Sequence, residues 1–400
     1  MTASQHALFA SFPTTGGSLV VPLLLLIAFS IQFQTSLAIV DGMTLRIDAG
    51  KLTKPDGKPQ EVGFYASTIQ KVVDSMYPEV NEADISKITY FNASNLRYLL
   101  LSGGEYLVDE PLLLPSMFVL SLEKGTSMAL APNATAAPTS SDDDSSLPSL
   151  VGLVDVSFSA VIGGTFDARG HEDGWECIRI LNGAHNSIRN VKAISHVNEA
   201  WKSTVTIRGG SRHELAKSTV DGEDVAGRCV WTIATSAALI HDNIITRCVG
   251  HALDFDAYTS GSTAYSNVVE YNTGGEYGQG IFVEETASGN FIFNNSVSHN
   301  TNGIELYSLT VGPVTGNIIA NNRVVKNLKK GISSGGGNAD ASNHADSNIF
   351  VGNKASGNGE GDLWVNHGHI QNDFWVSNEG EWVMDGGDLM SSKNVSVFDP

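Results

Sequence analysis

Asp254, Asp256, Glu284 and Glu305 recur at matching positions in three successive stretches of this chain, whose apolar anchors are Leu253, Ile281 and Ile304. Side chains alternate along a strand, so turning those three anchors inward sets the residues after them on one outer face. Asp254, Phe282 and Glu305 then form one column, and Asp256, Glu284 and Tyr307 the next. Column neighbours on stacked parallel strands lie about 4.8 Å apart, and residues two apart along a strand about 6.8 Å. Like charges at that range repel. Clustering them implies shared protons, a bound cation or displaced pKa values at a working site.

Asp254, Asp256 and Glu284 would suit Ca²⁺, and His251 heads the same stretch. The candidate catalytic set is therefore Asp254, Asp256, Glu284, Glu305 and His251. Tyr258, Phe282 and Tyr307 offer aromatic surface suited to sugar rings, which makes them the candidate substrate-binding residues. Glycoside hydrolysis needs two carboxyl groups, about 5–5.5 Å apart for retention and about 6.5–9.5 Å for inversion. Abstraction of a proton beside a uronate carboxylate needs a base and something to neutralise that carboxylate. The expected spacings serve either chemistry. Lys202, Arg208 and Arg228 on preceding stretches could contact anions. A solvated acidic surface is the competing reading.

What must position these residues is a repeat. Asn243, Asn267, Asn295, Asn322 and Asn353 are 24, 28, 27 and 31 residues apart. Two positions on come Ile245, Val269, Val297, Val324 and Ala355, and five positions on Cys248, Asn272, Asn300, Asn327 and Asn358. A glycine then precedes the next strand at Gly280, Gly303, Gly331 and Gly361. Ladders of asparagine in register with this period predict a solenoid whose coils stack about 4.8 Å apart. The strand after each glycine gives two inward series. One is Cys229, Leu253, Ile281, Ile304, Ile332 and Leu363; the other is Trp231, Phe255, Val283, Leu306, Ser334 and Val365.

Composition agrees with a single large domain: 400 residues, 42% hydrophobic, with 41 glycines for tight corners. The net charge of −19 argues against a nucleic-acid partner, which requires a basic face. It also disfavours an anionic glycan unless local cations intervene.

Leu19 to Phe29 is an apolar run, shorter than the roughly 20 residues a membrane span needs, and Ser36-Leu37-Ala38 follows as a small-x-small cleavage site. Residues 1–38 are thus expected to be a cleaved secretion signal or, alternatively, an uncleaved anchor. Secretion would make Asn92, Asn133, Asn294 and Asn394 glycosylation sequons. Residues 39–61 read as a polar lead-in, 131–150 as a flexible inserted loop and 379–400 as a tail. Cys177, Cys229 and Cys248 have no metal spacing, and Cys248 is expected to be a buried thiol in the second ladder. Ala66 to Tyr77 has helical spacing, with Ser67 or Thr68 available to cap it.

The helix S-T-I-Q-K-V-V-D at 67–74, the run L-L-S-G-G-E-Y-L-V-D-E-P-L-L-L-P-S-M-F-V-L at 100–120 and Val161–Gly170 resemble the entry to the pectin-lyase-like superfamily. With the ladders, the resemblance spans residues 62–378. It implies an all-β, single-stranded right-handed parallel β-helix with an N-terminal capping helix. More locally, His251-Ala-Leu-Asp254-Phe-Asp256 followed by Gly280-Ile-Phe-Val-Glu284 is similar in spacing to β-helix mannuronan C5-epimerases. Those enzymes carry Tyr-x-x-Asp-x-His on that strand. Here His251 takes the Tyr position and Asp256 the His position, so only Asp254 and, by type, Glu284 match. Polygalacturonase-like signatures and the pectate-lyase arginine motif are absent. The expected function is that of a secreted, monomeric lyase, epimerase or hydrolase acting on an extracellular polysaccharide. A non-catalytic surface or glycan-binding solenoid is the alternative.

Overall fold

In the computed structural model, described residues are 44–48, 64–76, 96–132, 134, 148–170, 174–197, 202–274, 278–308, 310–336, 344–366, 370–385 and 395–398, all in one compact unit, Gly42–Pro400. They form a parallel β-solenoid. Three long sheets run its length, one of thirteen strands and two of eleven, and every named strand pairing among them is parallel. The second ladder companions show why the coils stack: Ile245, Val269, Val297 and Val324 are fully buried and Ala355 nearly so. Each caps the same residue one coil away, in register. Burying each such aliphatic side chain contributes about 1.5–3 kcal/mol before chain entropy is counted.

Corners follow one rule. The residue before each ladder asparagine takes a left-handed backbone, as at Ser266, Asn294 and Asn321 before Asn267, Asn295 and Asn322. That reversal turns the asparagine inward. Its Oδ1 accepts from both the backbone N–H and the Nδ2 of the preceding coil's asparagine, at about the same length at every step from Asn243 to Asn353. The Nδ2 groups also donate to carbonyls such as Ile240 and Ala264, so each amide is satisfied on both sides. The ladder from Asn243 runs on to Asn378. The ladder from Asn272 passes to Asn358 and stops on Asp362. A third ladder, absent from the reading above, runs Ser262, Asn290, Asn317, Asn348 and stops on Asp373. Each of its members stands five residues before a member of the first ladder, so the signal was present at −5 as well as +5.

Several expectations need correction. Val230, not Cys229, pairs with Leu253, and Trp231 pairs with Asp254. The inward series in that coil is therefore Val230 and Thr232, while Trp231 stands outside the core cluster. A one-residue slip exchanges faces. The slip arose because Cys229 occupies a corner position that is Gly280, Gly303 and Gly331 in later coils, and a cysteine there looks like a core strand residue. Cys248 is not a free thiol but is bonded to Cys229; Cys177 is the buried free one. In later coils, a Cβ at Gly280, Gly303 or Gly331 would come within 2.8, 2.9 and 2.7 Å of a ladder amide, at Asn300, Asn327 and Asn358. The disulfide thus closes covalently the corner that asparagine over glycine closes elsewhere.

The helix spans Ala66–Ser75, two residues shorter than expected, with Ala66, Ile69 and Val73 buried. Its Gln70 amide exchanges hydrogen bonds with both backbone groups of Leu113, on the edge strand of one sheet, which quiets an otherwise open edge. Strands continue past both expected limits: Thr44–Asp48 lies in the stretch read as a lead-in, and Trp382–Asp385 and Val395–Phe398 in the stretch read as a tail. The apolar run at 19–29, the sequons at Asn92, Asn133 and Asn394 and most of the 131–150 loop lie outside the described residues. Asn294 is exposed at a corner. Among the described residues no helix is long and apolar enough to cross a membrane.

Candidate functional site

One eleven-stranded sheet carries the candidate residues on its outer surface. Its register stacks Trp231, Asp254, Phe282, Glu305, Ser333 and Trp364 in one column, joining the strands Arg228–Ile233, His251–Phe255, Gln279–Glu284, Asn302–Ser308, Lys330–Gly336 and Gly361–Asn366. Glu284, Tyr307 and Gly335 stack in the next column. The column expected for Asp254, Phe282 and Glu305 is therefore present, with Trp231 added at its head.

These side chains are far less exposed than a bare sheet face would leave them. Asp254 is 0% exposed, Asp256 5% and Glu305 7%. Arg228 reaches two of the acids. Its Nε donates to Asp254 Oδ2 at 2.8 Å, its other end lies 3.7 Å from Glu284 Oε1, and its guanidinium sits 5.1 Å over the Trp231 ring. Trp231 Nε1 in turn donates to Asp256 Oδ2 at 2.8 Å, and the Ala257 N–H donates to the other Asp256 oxygen. His251 stacks on Phe282 at 4.6 Å and meets Gln279 Oε1 at 2.7 Å; Gln279 Nε2 donates to Glu305 Oε2 at 3.1 Å. Lys330 stands 3.9 Å from Glu305 and 5.0 Å over Trp364.

The electrostatics follow from burial. Desolvation raises the Asp254 carboxyl above its ordinary range; the Arg228 charge opposes the shift and the Asp256 charge adds to it. Desolvation raises Glu284 as well, reinforced by the charges of Asp254 and Asp256. Burial, helped by the Arg228 charge, pushes His251 down to about 3, so its imidazole is neutral at physiological pH. Asp254 Oδ1 is buried without a hydrogen-bond partner. One guanidinium thus serves a buried acid and a half-buried one, and one acceptor oxygen is left unserved.

Of the residues expected at the site, His251, Asp254 and Glu284 converge: one potential ligand atom from each lies within 4.8 Å of the others, a set able to take a metal ion. Asp256 stands beside them, its oxygens engaged by Trp231 and Ala257. Glu305 and Phe282 form the adjoining layer, and Tyr307 follows Glu284 one coil on. Tyr258 is 64% exposed at the turn after the strand, where its N–H donates to Thr286. Arg228 proves to be the site cation. Lys202 is buried, and Arg208 lies on the strand before Arg228. Trp231 and Gln279 were not foreseen: the first was hidden by the register slip, and the second has no charge to draw attention.

The architecture is a parallel β-solenoid of three long sheets. Within it, residues 165–317 match the family model described as "Right handed beta helix region", a span that includes Arg228, His251, Asp254 and Glu284. Among solved structures, the polygalacturonase from Erwinia carotovora ssp. carotovora is similar, at 15% identity and TM-score 0.59, covering 90% of this chain and 96% of its own. The Dettilon tailspike protein gp208 is similar at 13% identity and TM-score 0.56, covering 87% of this chain and 70% of its own. The DFA-IIIase from Arthrobacter chlorophenolicus A6 is similar at 12% identity and TM-score 0.55, over 88% and 86%. No curated protein matches the chain by sequence.

Proposed function

We propose that the protein acts on a polysaccharide laid against the outer surface of this sheet, as a hydrolase, lyase or epimerase, by acid–base chemistry centred on Asp254 and Glu284. The observation that carries the reading is the buried carboxyl of Asp254 and the half-buried one of Glu284 sharing the guanidinium of Arg228, with Asp254 Oδ1 unpartnered. Burying charge this way costs stability unless every lone pair is served, so it persists where function requires it. Tyr307 and Trp364, half-buried on the same face, provide apolar surface for sugar rings, whereas Phe282 is buried against the His251 ring. Similarity to the polygalacturonase and the DFA-IIIase supports a carbohydrate substrate only by analogy of fold. Secretion is part of the same proposal, and N-terminal sequencing of protein recovered from the medium tests it. Retention of Met1 in a membrane fraction would favour the anchor.

The functional test is a panel of neutral and uronic-acid polysaccharides with product analysis. New reducing ends mark hydrolysis, unsaturated ends mark elimination, and inverted C5 centres mark epimerisation. Turnover of one class by the wild type, lost in Asp254→Asn and Glu284→Gln, is the expected result. Full activity in both variants would move the centre elsewhere, and no turnover on any member would leave a non-catalytic glycan-binding solenoid.

A further inference from the structure

His251 is held by a hydrogen-bond chain with one consistent direction. Glu305 accepts from Gln279 Nε2. The Gln279 amide thus presents its nitrogen to Glu305 and its Oε1 to the imidazole. Gln279 Oε1 therefore accepts from His251 Nδ1–H, and the Nε2 lone pair is left as an acceptor. On the neighbouring side, Arg228 takes Asp254 Oδ2 and leaves Oδ1 buried and unpartnered. Glu284 contributes a further acceptor within the same 4.8 Å group. Acceptors converge here, and the imidazole and the Asp254 carboxyl are each oriented by a second residue, Gln279 and Arg228. Metal ligands are supported in this way.

We propose that His251 Nε2, Asp254 Oδ1 and Glu284 bind a divalent first-row transition cation of the Mn²⁺–Zn²⁺ group. The imidazole decides the class: Ca²⁺ takes oxygen ligands, whereas mixed imidazole–carboxylate sets suit the first-row ions. Atoms sharing one ion at about 2.1 Å lie at most about 4.2 Å apart, so a small closure of the three side chains completes the shell. The set differs from the all-carboxylate Ca²⁺ set expected from sequence, because Asp256 is already engaged. Asp254, Asp256 and Glu284 against Arg228 leave two negative charges, which a divalent ion neutralises. The loaded centre therefore no longer repels an anionic or oxygen-rich group. This inference shares its centre with the proposed function but is measured without any glycan.

The full chain, stripped with a chelator, is titrated with Co²⁺, Zn²⁺, Mn²⁺ and Ca²⁺ by calorimetry, and Co²⁺ binding is also followed by its visible spectrum. One Co²⁺ or Zn²⁺ per chain is expected, with Ca²⁺ at least about 100-fold weaker. His251→Ala and Asp254→Asn should each weaken Co²⁺ by about 100-fold or more, and Gln279→Leu, acting only through His251, by about 10-fold. Asp256→Asn, which removes a neighbouring negative charge but no ligand, should weaken Co²⁺ less than His251→Ala does. Circular dichroism checks that each variant is folded, and Gln279→Leu stands in if His251→Ala is not. Binding that survives both His251→Ala and Asp254→Asn, a preference for Ca²⁺, or no stoichiometric binding would overturn the proposal. Metal binding without glycan turnover would instead leave the site standing and remove the enzymatic reading.

Discussion

The corners and the site face of this solenoid both bury polar groups and treat them in opposite ways. At the corners every ladder amide from Asn267 to Asn322 both gives and receives, coil after coil. On the site face two carboxyls divide one guanidinium, and Asp254 Oδ1 receives nothing. A satisfied buried network contributes rigidity and specificity, while a partly satisfied one is a standing cost. The two sit on the same coils, separated by a few residues. A buried, unpartnered carboxyl oxygen set beside satisfied ladders is the signature of a working surface.

The strongest way to break the contrast is to alter the site and ask whether the fold notices. Asp254→Asn and Glu284→Gln should each lower glycan turnover by about 100-fold or more, while melting temperature holds or rises, because a desolvated charge is removed. Parallel activity and thermal melts decide it, and a matching loss of stability would make the pair structural.

The reverse experiment acts on a ladder. Asn295→Ala removes the acceptor for Asn267 and the donor to both Asn322 and Ala264. It should cost about 1–3 kcal/mol by denaturant unfolding, against no change for the surface control Lys329→Ala. Equal midpoints would refute the load placed on the ladder.

A smaller effect sits where a ladder meets an acid. Burial raises Asp373 to about 6, opposed by bonds from Ser334 and Asn348. The folded state holds this proton more tightly than the unfolded chain, so Asp373 favours folding below about 4. That contribution is lost as pH rises through about 6. Asp373→Asn keeps the acceptor for Asn348 without the charge. It should flatten stability between about pH 4 and 6 and raise it near neutrality by about 1 kcal/mol. Denaturation series at several pH values would show an unchanged slope if Asp373 is already paired well enough.

The least effect concerns corner backbone. Lys326 adopts φ 56° where the next coil has Gly357 at φ 68°. Lys326→Gly should therefore be stabilising by a few tenths of a kcal/mol, strain relief being partly offset by glycine's unfolded-state entropy. A clear loss would show that the Lys326 side chain contributes packing at that corner.

Legibility in the sequence followed the strength of periodicity. Two ladders and the core positions between them could be read because asparagine and branched aliphatics alternate at fixed offsets. The column of Asp254, Phe282 and Glu305 followed from Ile281 and Ile304. The coil of Arg228 could not be placed, because its 23-residue offset to the next coil and Cys229 at a small-residue corner shifted the frame by one. That single slip hid Trp231 in the imagined core and left Arg228 without a partner. Nor could sequence foresee burial of the acids. An outward position on a strand fixes direction, but how far Arg228, His251 and Phe282 close over their neighbours depends on side-chain conformation.

The ladders also have a sense of direction. Every Nδ2 points toward the later coil, so each column is a head-to-tail chain of amides growing from the N-terminal end. An asparagine propagates it, since it receives on Oδ1 and donates from Nδ2. An ionised aspartate receives and cannot pass the bond on. Two columns finish on such residues, Asp362 and Asp373, whose negative charge also faces the donor end of an aligned stack of dipoles. Aspartate is thus a chain terminator in this amide polymer, and a single added nitrogen, Asp362→Asn, would hand the growing end one more rung to offer.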